Sequence, residues 1–431
     1  MRRSRPPSSF PRGDKTEARR AQGRERVLVA ADPLPLAWAA ALDVLARRRA
    51  AGEPLDRVMA AVARERHLGP RERRATADLA FGWARHAGAV DDLVAAAVRH
   101  EGGVAPRRRV LDLAAVCLAA VAAGLDIDPR VLAALPGSLR VLVDDAAAAG
   151  LALPVSLPAW LVTRLRGAYP DVVLELLAAL ERPAPTVLAI DRRRTSLGAV
   201  TLALQAQEVT TTPSPLAPTA LRVVSGRASL AALPPSLRGA VWPMDDGSQA
   251  VAHAVQAQPV DRVLDLCAGG GGKARLLVSL GATVVAADID AGRLARSLPD
   301  GAQGVVADGT RSPFLPGSFD RVLVDAPCSG TGTLRRAPDL ALRLDPEQLP
   351  ALVATQRALL TQALALVKPG GRVVYATCSL LPEENEGVVD AVVGDRRDVV
   401  RLPAPAPFPA RGSLTPPACD GFFVAVLQRT A

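Results

Sequence analysis

The chain has 431 residues and is 49% hydrophobic, which is enough for two or three packed domains and excludes a wholly disordered protein. The longest apolar stretch, residues 113–125, is shorter than the roughly 20 residues that a membrane span needs. The five scattered cysteines include no C-x-x-C pair, which argues against a disulfide scaffold or a four-thiolate zinc site and suits a reducing cytoplasm.

Charge is distributed unevenly along the chain. Residues 1–240 contain 34 Lys and Arg against 23 Asp and Glu, whereas residues 241–431 contain 18 against 20. A basic half beside a near-neutral half indicates that one part binds a polyanion. The base composition of the genome is an alternative explanation for a sequence rich in arginine and poor in lysine. Residues 1–30 are basic and lack an apolar run, so we expect a disordered basic tail and no secretory signal.

Residues 31–150 show helical periodicity. Trp38, Leu42 and Leu45 fall at i, i+4 and i+7, and glycines such as Gly52 separate the successive apolar segments. This pattern predicts an all-helical domain whose tryptophans lie in its core.

Residues 151–240 are divided by many prolines into short elements. We predict a small α+β connecting domain, with strands at 186–190 and 221–224 around a helix at 197–206. The run Arg192-Arg193-Arg194 is suited to phosphate contact, but a solvated surface is the commoner meaning of such a triplet.

Residues 241–431 alternate between strand-like and helix-like segments. Apolar strand segments are predicted at 263–268, 283–288, 304–308, 319–325 and 372–377, and a helix at 347–367. This alternation predicts an α/β, Rossmann-like domain: a doubly wound parallel sheet with helices on both faces, which binds ligands beyond the carboxyl ends of its strands. We expect Phe422 to Gln428 to complete the sheet as an antiparallel edge strand.

The turn after the first of these strands is rich in glycine. Gly269, Gly271 and Ala274 satisfy G-x-G-x-x-A, and Asp288, at the end of the second strand, is placed to bind a ribose diol. Sites for NAD, FAD and S-adenosylmethionine all use such a turn. Asp308, after the third strand, is suited equally to an adenine amino group and to capping a helix.

Two cysteines follow the fourth and fifth strands. The fourth strand ends in Asp325-Ala-Pro-Cys328, and the fifth ends in Thr377-Cys378. Because these strands are neighbours in the usual order, we expect two thiols and a carboxylate to meet beside the cofactor pocket. No histidine lies in these motifs, so a Ser-His-Asp hydrolase and a histidine metal site are not expected.

The stretches DLCAGGGGKA, DAPCSGTGTLRR, YATCSLLPEENE and LTPPACDGFFVAVLQR resemble the Nop/Sun family of RNA cytosine-5 methyltransferases. Within that family the chain is most similar to the bacterial Sun (RsmB) type, which acts on small-subunit ribosomal RNA. Residues 35–150 resemble the NusB-like helical RNA-binding domain that precedes this catalytic module.

The resemblance implies S-adenosylmethionine as cofactor and RNA as partner. It implies Cys378 as the nucleophile that adds to cytosine C6, Cys328 as its assistant in the later elimination, and Asp325 as a contact to the base. The cofactor-binding residues it implies are Cys267, Ala268, Gly269, Gly270, Gly271, Gly272, Lys273, Asp288, Asp308 and Asp325.

The chain departs from the family pattern at three places. Gly269, Gly270 and Ala274 replace Ala, Pro and Thr of the usual C-A-A-P-G-G-K-T loop, which we expect to loosen the loop. Met244 replaces a Gln, and Ala189-Ile190-Asp191 replaces Arg-Val-Asn, which affects an expected RNA contact.

The leading hypothesis is therefore an enzyme that methylates cytosine C5 in 16S rRNA. Transfer RNA is an alternative substrate, and a non-catalytic RNA-binding assembly factor and a nicotinamide-dependent oxidoreductase are alternative functions. We expect a cytoplasmic protein without metal or membrane association, for which a monomer suffices.

Overall fold

The computed structural model describes residues 34–101, 106–154, 156–408, 413–416 and 418–430, so the predicted basic tail lies outside the described residues. The first part is helical: α1 (Leu36–Ala51), α2 (Leu55–Glu65), α3 (Pro70–Glu101), α4 (Arg108–Ala122), α5 (Pro129–Ala133) and α6 (Gly137–Ala148). Trp38 and Trp83 are buried in the common core of these helices, which confirms the predicted position of the tryptophans. The helix α3 is interrupted at His86, whose backbone is not helical.

Two helices and a small antiparallel sheet follow. The elements are α7 (Ala159–Ala168), α8 (Val173–Glu181), β1 (Val187–Ile190), α9 (Leu197–Gln205), β2 (Thr210–Pro213), β3 (Ala220–Ser225) and β4 (Val241–Pro243). The strand order is β2-β3-β1-β4. Both predicted strands and the predicted helix are confirmed to within a residue or two.

The remaining elements form the large α/β unit. They are α10 (Asp246–Ala254), β5 (Arg262–Asp265), α11 (Gly272–Ser279), β6 (Thr283–Asp288), α12 (Ala291–Ser297), β7 (Ala302–Val306), β8 (Phe319–Asp325), α13 (Leu349–Leu366), β9 (Val367–Thr377), α14 (Glu386–Val393), β10 (Val399–Leu402), β11 (Ser413–Leu414) and β12 (Phe422–Arg429). The strands β5 to β9 pair in parallel, in the order β7-β6-β5-β8-β9. Helices α13 and α14 pack on one face of this sheet, and α10, α11 and α12 pack on the other, so the predicted doubly wound architecture is confirmed.

The predicted position of the last strand is wrong in one respect. Strand β12 is antiparallel to β9 as expected, but β10 pairs with its outer side and forms the edge of the sheet. A four-residue segment between a charged run and a proline carries too little periodicity to be recognised as a strand. The strand predicted at 372–377 is present, but the observed strand β9 is longer and begins at Val367.

The order of the strands determines where a ligand can bind. The chain passes from β5 to β6 on one side and later returns to β8 on the other, so a crevice opens beyond the carboxyl end of β5. Strands β8 and β9 are paired with Asp325 opposite Ala376, which brings the loops after both strands to the same place. Among the described helices, none has the length and apolar character needed to cross a membrane.

Candidate functional site

The loop from β5 to α11 crosses the carboxyl edge of the sheet. Its backbone is left-handed at Gly269 (φ +52°) and Gly271 (φ +67°), a conformation that residues with a Cβ rarely adopt. The N–H of Gly271 donates to the carbonyl of Ala268 (2.8 Å) and closes the turn. A Cβ at Gly270 or Gly272 would face open space, so glycine is conformationally required at only two of the four positions.

One aspartate ends β6 and a second follows β7. Asp288 holds the loop against β6, since its carboxylate accepts from the N–H groups of Gly269 (2.7 Å) and Asp290 (2.8 Å). Asp308 caps a short 3₁₀ turn and accepts from the N–H (2.9 Å) and hydroxyl (2.7 Å) of Thr310. Of the two roles considered for Asp308, the cap is the contact present in the structure, although the residue also lines the neighbouring cavity.

A cavity of about 570 Å³ lies beyond the ends of β5, β6, β8 and β9. This volume is typical of small-molecule sites, which measure roughly 300–1,000 Å³. Its lining includes every predicted site residue except Gly271: Cys267, Ala268, Gly269, Gly270, Gly272, Lys273, Asp288, Asp308, Asp325, Cys328 and Cys378.

The lining also suits the predicted cofactor. The carboxylates Asp288 and Asp325 can accept from ribose hydroxyls and an ammonium, while Ile289 and Leu359 offer apolar surface for a purine. This is the combination needed by a nucleoside joined to an amino acid, so the residues present fit S-adenosylmethionine.

Lys273 and Asp325 form an ion pair at the centre of the cavity wall. The Nζ of Lys273 donates to Oδ2 of Asp325 at 2.7 Å. Burial lowers the pKa of Lys273, but the attraction of Asp325 outweighs it and leaves the pKa raised, so the side chain stays an ammonium. Cys378 lines the same cavity as this ion pair.

The two motif cysteines meet in this wall. The Sγ atoms of Cys328 and Cys378 are 3.4 Å apart, so the expected convergence of the two thiols and Asp325 is observed. The hydrogen bond to Cys378, followed by burial, raises the pKa of Cys328 well above its ordinary value. Burial likewise raises the pKa of Cys267, in the loop from β5 to α11.

Sequence reasoning missed Asp265, the last residue of β5. Its side chain is buried beneath the glycine loop, and neither carboxylate oxygen has a hydrogen-bond partner among the described residues that meets normal geometry. Burial and the nearby Asp325 charge raise the pKa of Asp265 to about 7. A charged residue that ends an apolar strand directly before a glycine turn is the signal that identifies it.

A second missed residue is Glu384, in the stretch YATCSLLPEENE. It is completely buried, and its carboxylate accepts hydrogen bonds from the loops that carry both cysteines. Its signal is weak, because a glutamate six residues after Cys378 reads as a surface charge.

Charged residues from three separate motifs meet on the other side of the site. Asp420 accepts from Nε of Arg335 (2.9 Å) and Nε of Arg336 (2.6 Å), and Arg336 also donates to Asp245 (2.9 Å). Burial, followed by the Asp420 charge, raises the pKa of Asp245 to about 6. Ion pairing between these stretches fixes the segment after Cys328 against the segment before β12.

The basic run Arg192-Arg193-Arg194, which follows β1, makes hydrogen bonds to nearby backbone and side-chain groups. Arg192 donates to the carbonyl of Pro218, and Arg194 donates to the carbonyl of Gly239. Asp191 accepts from the N–H of Arg193 (3.0 Å) and is largely buried. The two arginine contacts hold the loop after β1 against the segments that precede β3 and β4.

The chain is similar to known proteins over most of its length. A profile described as 16S rRNA methyltransferase RsmB/F matches residues 252–428, and one described as the ferredoxin-like domain of RsmF/B-like methyltransferases matches residues 157–228. Ribosomal RNA small subunit methyltransferase B of Xanthomonas campestris is 34% identical over 292 residues, which are 64% of this chain and 67% of the relative.

Two further similarities extend over more of the chain. A Mycobacterium tuberculosis protein named "Putative methyltransferase" is 34% identical over 405 residues, covering 83% of this chain and 86% of that protein. The solved structure of PH0851 has a TM-score of 0.75 at 20% identity and covers 92% of this chain and 99% of its own. This last similarity concerns the fold alone.

Proposed function

The chain belongs to the RsmB/F family of RNA methyltransferases, and from this membership we propose that it methylates C5 of a cytosine in small-subunit (16S) ribosomal RNA. S-adenosylmethionine is the methyl donor and supplies an electrophilic methyl group when bound. Methylation of a carbon, however, requires that the base itself be activated, because C5 of cytosine is a poor nucleophile.

One observation carries the proposal of C5 as the target: two thiols 3.4 Å apart, beside the Lys273–Asp325 pair, in the wall of the cofactor cavity. A methyltransferase acting on an exposed nitrogen or oxygen has no need of a thiol nucleophile. A pair of thiols suits a reaction in which one sulfur adds to the base and a second group assists its release.

The proposed roles follow from these positions. Cys378 is the nucleophile: its sulfur gives up its proton and bonds to C6 of the cytosine, the C5–C6 double bond opens, and N3 takes up a proton. Asp325 accepts hydrogen bonds from the N3/N4 edge of the base and stabilises this protonated adduct. The electron-rich C5 then bonds to the methyl carbon while the bond between that carbon and the donor sulfur breaks. Cys328 assists the departure of the C5 proton, and the electrons of the C5–H bond restore the C5–C6 double bond as the bond between Cys378 and C6 breaks.

The cofactor-binding roles are part of the same proposal. Residues 267–273 hold the cofactor through their backbone, Asp288 binds the ribose, and Asp308 lies on the adenine side. We propose that residues 31–150 are a NusB-like RNA-binding domain and that residues 151–240 connect it to the catalytic domain of residues 241–431. All these residues belong to one chain, so a monomer suffices.

The three alternatives to this proposal differ in how well the observations support them. Family membership leaves the nicotinamide-dependent oxidoreductase without support. Transfer RNA stays a second candidate substrate, because the proposal of ribosomal RNA rests on the names of relatives. A non-catalytic assembly factor is disfavoured by the intact cysteine pair and ion pair. An rRNA substrate also supports a cytoplasmic location.

The experiment is detection of 5-methylcytidine by mass spectrometry. Unmodified 16S rRNA is incubated with the protein and S-adenosylmethionine, and we expect new 5-methylcytidine that disappears in Cys378→Ala. If neither free rRNA nor small subunits are methylated, the rRNA proposal fails and transfer RNA is tested next.

The Cys328→Ala variant separates the two thiols. If Cys328 assists release, this variant still adds to the base, and a covalent protein–RNA complex accumulates that survives denaturing electrophoresis. Cys378→Ala forms no such complex. Loss of adduct in both variants, or accumulation in both, contradicts the assigned roles.

A further inference from the structure

The loops that carry the two cysteines are joined through one buried carboxylate. Oε1 of Glu384 accepts from the N–H of Ser329 (2.8 Å) and from Nε2 of Gln356 (3.0 Å). Oε2 accepts from the hydroxyls of Ser329 and Ser379, each at 2.5 Å. Glu384 is fully buried. Four donors from three segments of the chain converge on it, two on each oxygen.

These donors are the immediate neighbours of the thiols. Ser329 follows Cys328 in the loop after β8, and Ser379 follows Cys378 in the loop after β9. Among the described residues no Lys or Arg is ion-paired to Glu384, so these neutral donors supply the hydrogen bonds that a buried carboxyl group requires. The arrangement restrains both loops, since movement of either one breaks a hydrogen bond to a fully buried group.

We propose that Glu384 is a positioning residue of the methyl-transfer site, which sets the distance between the Cys328 and Cys378 sulfurs by binding both of their loops. This inference rests on the proposed function, in which the two thiols act in turn on one cytosine. It concerns a residue that contacts neither the base nor the cofactor in that scheme.

Further contacts hold Glu384 itself in place. The hydroxyl of Tyr375, on β9, donates to the backbone carbonyl of Glu384 (2.6 Å). The Nε2 of Gln356, on α13, donates to the Glu384 carboxyl group and also to the carbonyl of Pro327 (2.9 Å), directly before Cys328. Glu384 is thus fixed to β9 and to the loop after β8, and can set the positions of the two loops that carry the cysteines.

The test measures the distance between the sulfurs through their rate of disulfide formation. Without RNA or cofactor, the protein is treated with diamide, which takes two electrons and two protons from the thiol pair, and the Cys328–Cys378 peptide is quantified by mass spectrometry. Glu384→Ala removes every link through the carboxylate, and we expect the rate to fall about tenfold or more. Glu384→Gln keeps an acceptor for the Oε1 donors and a donor toward both hydroxyls, so we expect it to restore most of the rate.

Two further variants guard against a merely structural effect. Asp261→Asn breaks an ion pair with Arg321 at the opposite edge of the sheet and controls for lost stability without change at the thiols. If Glu384→Ala does not fold, the Ser329→Ala/Ser379→Ala double variant removes both hydroxyl links and should slow the disulfide in the same way. A wild-type rate in whichever of these two folds would overturn the proposal.

Steady-state kinetics complete the test on RNA. We expect Glu384→Ala to lower kcat with little change in the KM for S-adenosylmethionine, whereas Asp261→Asn changes neither. The disulfide rate does not depend on methylation, so the two proposals fail separately. Slowed crosslinking with no 5-methylcytidine from the wild type refutes only the function, and unchanged crosslinking with normal methylation refutes only the positioning role.

Discussion

At the scale of single residues, Asp265 is a buried carboxyl group next to the candidate site. Its carboxylate is buried below the glycine loop, close to Asp325, and its pKa is raised to about 7. A carboxyl whose pKa is higher in the folded state than in the unfolded chain takes up protons on folding. Its contribution to stability is therefore complete below the unfolded value of about 3.9, declines as the pH rises toward 7, and is constant above that.

This shift predicts the effect of replacing Asp265 by the neutral Asn. We expect Asp265→Asn, without cofactor, to have a higher Tm than the wild type at pH 8, and the difference to narrow as the pH is lowered to about 4. Thermal melts across this pH range measure it. The raised pKa of Asp245 affects the wild type and the variant equally, so it does not change the difference between their Tm values. If the Tm values of the two proteins differ by the same amount at every pH, Asp265 does not take up a proton on folding.

At the scale of elements, the glycine loop between β5 and α11 combines two different kinds of glycine. Gly269 has a left-handed backbone, whereas Gly270 does not, and a Cβ at Gly270 meets no other atom within 4 Å. The extra freedom of Gly270 in the unfolded chain therefore destabilises the loop without serving its conformation.

The pair of alanine substitutions in this loop should act in opposite directions. We expect Gly270→Ala to raise the free energy of unfolding by about 0.4–1 kcal/mol, because it restricts only the unfolded chain. Gly269→Ala should lower it by roughly 1–2 kcal/mol, because alanine is strained there. Urea unfolding with an unchanged m-value is the measurement. If both variants shift in the same direction, the loop has a different backbone from the one described.

At the scale of the whole molecule, Arg85 links the helical region to the large α/β unit. The guanidinium of Arg85, on α3, donates to the backbone carbonyls of Leu180, Glu181 and Arg335 at 3.1–3.2 Å. Burial lowers the pKa of Arg85. A second link is the N–H of Leu55, at the start of α2, which donates to Asp339 (3.1 Å). The helices thus support the segment that follows Cys328.

Replacing Arg85 should destabilise both segments whose carbonyls it binds. We expect Arg85→Met to lower the free energy of unfolding by about 2–3 kcal/mol, because buried carbonyls lose their donor. Hydrogen exchange should accelerate around residues 176–182 and 333–337. Arg74, exposed on the same helix, provides the control, and Arg74→Met should change neither. Unchanged exchange around 333–337 would mean that the contact does not support the site.

Much of this molecule follows from local pattern. Apolar runs such as 284–287 locate the strands because burial on both faces requires continuous hydrophobic sequence. The alternation of strand and helix then implies a parallel sheet, and a parallel sheet brings the Cys328 and Cys378 loops to one edge. The glycine loop, the aspartates and the thiols were therefore predictable as a group, since each motif lies at or just after the end of a strand.

Other features required the folded chain, because they depend on contacts between residues far apart in sequence. Nothing local marks Glu384 as the acceptor that joins two loops, or Asp420 as the partner of Arg335 and Arg336. The edge position of β10 depends on which strand is left to pair with β12. The protonation of Asp265 likewise depends on how completely the loop and its neighbours exclude water. Periodicity records which residues are buried, whereas the identity of a buried polar group's partner is decided only when the elements pack together.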